Sequence, residues 1–205
     1  LVSVTFSGES TAGIATDNAT DNTDVAITVD FSNITDTADT VTVTASDIGD
    51  TDYSFTMLAG ASAATFTGSA GADTLTGGSA ADTLDGNAGA DTMTGNGGAD
   101  VFAFAEGDST SAATATVADF AAGTDSIQIT LVADSATSTV DARDNGDANS
   151  ISAGLALFTA NDEGQYFFNK EANQLAVDLD GNGLIQATDL IVNLTDETGV
   201  SSADI

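Results

Sequence analysis

Apolar side chains recur at a fixed interval in the middle of this chain. Leu75, Leu84, Met93 and Phe102 stand nine residues apart, and Phe66 stands nine before the first of them. Each of the four is the centre of a short run, TLT, TLD, TMT or VFA, preceded by six small or polar residues, GSAGAD, GGSAAD, GNAGAD or GNGGAD. The four blocks fill residues 68–103 without an insertion. Successive side chains of a strand point to opposite faces, so the middle residue of each run points inward and its neighbours outward. The Gly-rich hexamers supply turns that need φ > 0. A three-residue strand and a six-residue turn, repeated, predict a parallel β-roll in which two blocks make one coil. Residues eighteen apart then stack on neighbouring strands, placing Asp73 over Asp91 and Asp82 over Asp100.

The flanking regions are less regular. Leu1–Phe6, Asp24–Phe31, Thr40–Ala45 and Tyr53–Leu58 are Thr/Val-rich and partly alternating, which predicts four strands. Ala59–Thr67 reads as a degenerate coil with Phe66 inward, expected to cap the roll at its N-terminal end. Residues 131–150 are polar and read as a surface loop or insertion, where Asp141, Asp144 and Asp147 could meet a cation or pair with Arg143. From Ile151 hydrophobic segments return as ISAGLALF, QYFFN, QLAVDL and DLIVNL.

Charge changes the picture. The 205 residues carry 32 acidic side chains against two basic ones, Arg143 and Lys170, for a net charge of −30. Phosphate binding needs clustered Lys and Arg, so nucleic acid and anionic membranes are excluded as partners. Disordered acidic chains have low hydrophobicity, whereas mean hydropathy here is +0.09. The folded state therefore calls for cations to neutralise its carboxylates, and without them self-repulsion should loosen the chain. There is no Cys and no His, which removes thiol chemistry, disulfides, imidazole bases and ordinary zinc sites and leaves metal as the staple. The composition permits only carboxylate-pair glycoside chemistry, and no pair stands out among the 32 acids, so no enzyme is expected within these residues. No apolar run is long enough to span a membrane, and no signal peptide opens the chain. The strand-like start at Leu1 suggests a piece of a longer polypeptide.

The spacing points to calcium. Parallel strands lie about 4.8 Å apart and calcium–oxygen bonds are about 2.3–2.6 Å long, so one ion fits midway between two stacked turns. Asp73, Asp82, Asp91 and Asp100 would give carboxylate oxygens, and the turn glycines Gly71, Gly77, Gly86, Gly89, Gly95 and Gly98 backbone carbonyls, to several ions. Magnesium, with its tighter octahedron, fits that gap poorly. A flexible Gly/Asp linker is the plain alternative, but a linker has no reason to hold Gly, Asp and an apolar residue in one register of nine. Ala80 replaces a turn glycine, so its turn should be tighter or lack one carbonyl contact. TDNATDNTD (Thr16–Asp24) reads first as a solvated turn. DLDGNGLIQATD is a second calcium candidate on the EF-hand template, with Asp178, Asp180, Asn182, the Leu184 carbonyl and Asp189 as ligands and Gly183 at the sharp turn. Its last ligand is Asp where Glu is usual and the segment entering it reads as strand, so a hairpin turn is the competing reading.

The nine-residue pattern resembles the calcium-binding nonapeptide of RTX (hemolysin-type) proteins. The following segment is similar to the end of the RTX roll in serralysin-type proteases and secreted bacterial surface-layer proteins. The matching residues are Gly98 to Phe104, the loop with Glu106, Asp108 and Ser109, and VADFAAGTDSIQI. The resemblance, over roughly residues 60–205, implies that this last segment closes the roll. It implies that Asp108, Asp119 and Asp125 give further carboxylates to calcium, with Phe120, Ile127 and Ile129 as core. It also implies an antiparallel cap on the end of the roll and a C-terminal signal for the type I secretion machinery; Ser201–Ile205 resembles the end of such a signal, several apolar residues short. The expected fold is all-β: N-terminal β segments (residues 1–60), a parallel β-roll (61–130) and a C-terminal antiparallel β cap (131–205). The expected function is that of a calcium-binding structural module of a secreted bacterial surface protein, extracellular or on the cell surface, assembling with itself through calcium or with the cell surface. The secretion module of an exoenzyme, protease or lipase, with its catalytic domain upstream, and part of a calcium-dependent adhesin share the same roll. Residues 1–60, continuous in composition with it, favour the structural reading.

Overall fold

Each three-residue run becomes a strand in the computed structural model, which describes residues 2–5, 25–49, 51–130, 144–148, 165–169, 172–179 and 189–195. In chain order the first five strands are β1 (Val2–Thr5), β2 (Val25–Asp30), β3 (Thr40–Thr44), β4 (Tyr53–Leu58) and β5 (Ala63–Thr67). The repeats make β6 (Thr74–Thr76), β7 (Thr83–Asp85), β8 (Thr92–Thr94) and β9 (Val101–Ala105), followed by β10 (Ala115–Val117) and β11 (Ser126–Thr130). Four more follow: β12 (Asp144–Ala148), β13 (Gln165–Asn169), β14 (Gln174–Asp178) and β15 (Leu190–Leu194). The chain alternates between two parallel sheets. Odd strands stack as β1-β3-β5-β7-β9-β11, and even strands from β2 to β10 stack in the second sheet.

The register puts the apolar positions directly over one another. Val43, Phe66, Leu84, Phe102 and Ile127 are successive partners in the odd sheet, and Met57, Leu75, Met93 and Val117 in the even one. Every one of these side chains is buried, each burial stabilising the fold by roughly 1.5–3 kcal/mol. Phe120 lies against Phe102, with ring centroids 6.2 Å apart and planes tilted by 55°. Ile129, expected in the core, is only partly buried at its margin.

Three expectations change. The boundary at residue 60 is not a boundary of the sheets: β3 and β4 pair in parallel with β5 and β6, and β1 and β2 with β3 and β4. Phe66 therefore belongs to an interior coil and caps nothing. The connections in this region are longer than those of the repeats, which hides the period but not the register, since pairing follows the in–out alternation of each strand. The expected C-terminal antiparallel segment is present, and it extends the even sheet at its edge: β15 pairs parallel to β10, β14 antiparallel to β15, and β13 antiparallel to β14. Residues 144–148, read as loop, form β12, pairing with β13 through an irregular register; an edge ladder overrides the turn-like sequence there. Thr16–Asp24, Ile151–Phe158 and Ser201–Ile205 lie wholly outside the described residues.

Candidate metal centre

The sixth residue of each block ends a turn and enters a strand, so its carboxylate reaches the neighbouring coil. In the odd sheet, Asp82 Oδ1 accepts the N–H of Ala64 at 2.7 Å, Asp100 Oδ1 that of Asp82 at 2.8 Å, and Asp125 Oδ1 that of Asp100 at 3.0 Å. In the even sheet, Asp73 Oδ1 accepts from Phe55 at 2.6 Å and Asp91 Oδ1 from Asp73 at 2.8 Å. The expected stacking of Asp73 with Asp91 and of Asp82 with Asp100 is thus present, as two ladders of side chain to backbone bonds. Asp125 stands in as the next rung of one ladder although it lies outside the period. All five aspartates are buried, and no described residue is basic.

The second carboxylate oxygens differ. Asp73 Oδ2 accepts the N–H of Ser69 at 2.6 Å, Asp82 Oδ2 that of Gly78 at 2.6 Å, and Asp125 Oδ2 that of Ala121 at 2.9 Å. Asp91 Oδ2 and Asp100 Oδ2 are buried with no hydrogen-bond partner. A buried ionised carboxylate without compensation is costly. Burial is the main cause that pushes Asp91 up to about 8, with Asp73, Asp108 and Asp85 adding repulsion. Burial likewise pushes Asp100 up to about 6, with Asp125, Asp82 and Asp119 adding to it. Asp73, Asp82 and Asp85 are raised by burial too, against their hydrogen bonds.

These residues fit a hard cation. A Cβ on Gly68 would lie 2.4 Å from Asp73 Oδ2 and 2.6 Å from the Gly86 carbonyl oxygen. One on Gly77 would lie 2.5 Å from Asp82 Oδ2 and 2.6 Å from the Gly95 carbonyl oxygen. Oxygens from two stacked coils thus converge where only glycine leaves room. Three carboxylates nowhere gather among the described residues, so backbone carbonyls have to complete any shell. An all-oxygen, carbonyl-rich set suits calcium. Gly86 and Gly95 contribute such carbonyls, and the Gly71 carbonyl presses on Gly89 as that of Ala80 does on Gly98. The Gly77 carbonyl instead accepts the Asn96 side-chain amide at 2.8 Å, as the Gly68 carbonyl accepts that of Asn87 at 2.6 Å.

The residues implied by resemblance divide. Asp119 accepts the N–H groups of Gly95 at 2.8 Å and Asn96 at 2.7 Å, bracing the last repeat turn. Asp108 accepts the N–H of Ala105 at 2.5 Å, and burial pushes it up to about 6 with Asp85 adding to this. Asp178 and Asp189 are both buried, one step beyond the Val177–Leu190 pair of two antiparallel strands, and Asp189 Oδ1 accepts the N–H of Leu179 at 3.0 Å. Strands therefore flank this loop where an EF-hand has helices. Asp180, Asn182 and Leu184 lie outside the described residues. Asn87, Asn96 and Asp85 were not anticipated; the only cue is that Asn fills the second position of the last two blocks alone.

Residues 60–110 match the RTX calcium-binding nonapeptide repeat in four copies. These are RTX repeats. No curated protein is significantly similar to the chain. The roll built on them is a calcium-binding module, and repeats of this class are typical of secreted proteins.

Protons should compete with calcium for this RTX roll. Asp91, Asp100 and Asp108 sit above the ordinary carboxylate value of 3.8 in the metal-free fold. Their contribution to metal-free stability is therefore full below about 3.8 and is lost as pH rises through about 6 for Asp100 and Asp108 and about 8 for Asp91. In chelator, the β signal in circular dichroism should grow as the pH falls from 8 toward 5. Calcium binding at pH 7 should release protons, read by calorimetry in buffers of different ionisation enthalpy; no release would contradict the burial of Asp91.

Proposed function

We propose that this RTX roll is a structural, non-enzymatic module of a secreted bacterial surface protein, of the surface-layer or matrix kind, which folds on calcium outside the cell and assembles there with copies of itself or on the cell surface. The continuity of the roll supports this most. β1 to β4 join the repeats' two sheets strand by strand, so the N-terminal strands add coils to the roll. A chain of net charge −30 lacking His and Cys is suited to holding cations and ill suited to nucleophilic or acid–base chemistry. Extracellular calcium modules bind at roughly 10⁻⁴–10⁻³ M, a range that leaves the chain unfolded at cytosolic calcium, ready for type I export, and folded once outside.

Copies this acidic can approach only through bridging cations or along strand edges. The N-terminal edge strands suit the second route, since the inward residues Val4, Val25 and Ile27 are only half-buried. Sedimentation velocity and electron microscopy at roughly millimolar calcium should show assemblies that disperse on chelation. A chain that stays monomeric in calcium, or assemblies that persist in chelator at moderate salt, would sink the reading. An HExxH helix or a G-x-S-x-G elbow upstream in the full-length gene product would favour the exoenzyme alternative.

A further inference from the structure

The four repeat turns share a sequence pattern but take two forms. In the first two, the second residue gives its N–H to the aspartate of its own block: Ser69 to Asp73 Oδ2 and Gly78 to Asp82 Oδ2, both at 2.6 Å. Those carboxylates are closed, each oxygen already holding a backbone N–H. In the last two, the second residue is asparagine in the left-handed region, Asn87 at φ 57° and Asn96 at φ 64°, and the fourth is a glycine at positive φ, Gly89 at 142° and Gly98 at 138°. That rotation carries the N–H away from the block's own aspartate. Asn87 N–H goes to Asp85 Oδ1 at 2.9 Å, and Asn96 N–H to Asp119 Oδ2 at 2.7 Å. In these rotated turns the side-chain amides also bind the Gly68 and Gly77 carbonyls of the preceding coil at 2.6 and 2.8 Å. The residue left without its donor is, in each case, the aspartate whose second oxygen is buried and bare: Asp91 and Asp100.

We propose that Asn87 and Asn96 are positioning residues that hold the last two turns in a cation-ready form, so that calcium fills the Asp91 and Asp100 sites, one on each edge of the roll, before the self-satisfied turns of Asp73 and Asp82. The inference rests on the calcium-binding reading of the repeats. Asparagine is the residue after glycine that best tolerates the left-handed region, and it adds an amide that glycine lacks. Serine, which fills the same position in the first block, holds the closed form there. Ala80, the one non-glycine at the fourth position, bars the second block from the positive φ that Gly89 and Gly98 adopt. In a closed turn a cation has to displace a charge-assisted N–H bond to the carboxylate; in an open turn that oxygen is already available.

Calcium titrations of the full chain by calorimetry, with chelator-driven release in stopped flow, test this. The wild type should show a tight class and a weaker one. The pair Asn87→Ser and Asn96→Ser lets both turns close, and should weaken the tight class at least about tenfold, the worth of one charge-assisted bond. The pair Asn87→Gly and Asn96→Gly keeps the left-handed form and drops only the amides, and should stay close to wild type. A serine pair that binds like wild type overturns the proposal. So does a glycine pair that loses as much as the serine pair, because the asparagines would then be glue between coils and nothing more. Should the serine pair fail to fold at saturating calcium, the single variants carry the comparison, each expected to lose one tight ion. A wild type that binds no calcium would instead overturn the calcium reading itself.

Discussion

Removing calcium is expected to unfold the roll. Each coil of the repeats places only two apolar side chains inward, Leu75 with Leu84 and Met93 with Phe102, which cannot offset the ordering of eighteen backbone residues. The same coils bury Asp73, Asp82, Asp91 and Asp100 with no basic residue among the described ones to neutralise them. Metal binding coupled to folding has to supply the difference. Far-ultraviolet circular dichroism in EGTA should therefore lack the β signal, which should return on adding calcium to roughly millimolar levels. A fully formed β spectrum in EGTA near pH 8 would mean that backbone bonds and the small core suffice.

The second large effect concerns coupling along a ladder. Asp91 Oδ1 holds the Asp73 N–H and the two carboxylates repel one another, so they share one edge of the roll. Asp82 sits on the other edge, in the ladder of Asp100 and Asp125. Asp91→Ala should shift the calcium midpoint of folding nearly as far as the Asp73→Ala, Asp91→Ala double change, since losing Asp91 also removes the acceptor of the Asp73 N–H and so disables the neighbouring site on that edge. Asp82→Ala with Asp91→Ala should come closer to additive. Asn in place of Ala should be milder, because it keeps one ligating oxygen. Strong coupling between Asp82 and Asp91 with independence of Asp73 and Asp91 would contradict the two-blocks-per-coil roll.

The period of nine was enough to determine the centre of this protein. A strand exposes alternate faces and a turn needs glycine, so Leu75, Leu84, Met93 and Phe102 could only be inward, and the aspartates eighteen apart could only stack. Charge without a counter-charge was likewise enough to ask for a metal. Tertiary structure decided where the roll begins and what each carboxylate oxygen does. β1 to β5 are coils despite connections that break the period, because strand pairing answers to register and not to loop length. Asp125 became a rung of the ladder because the closing coil returns it beside Asp100. Asp73 and Asp91 read alike along the chain, yet one is closed by Ser69 and the other left open beside Asn87. That difference lies in the sign of the φ torsions at the second and fourth positions of the turn, positive at Asn87 and Gly89 and not at Ser69 and Gly71.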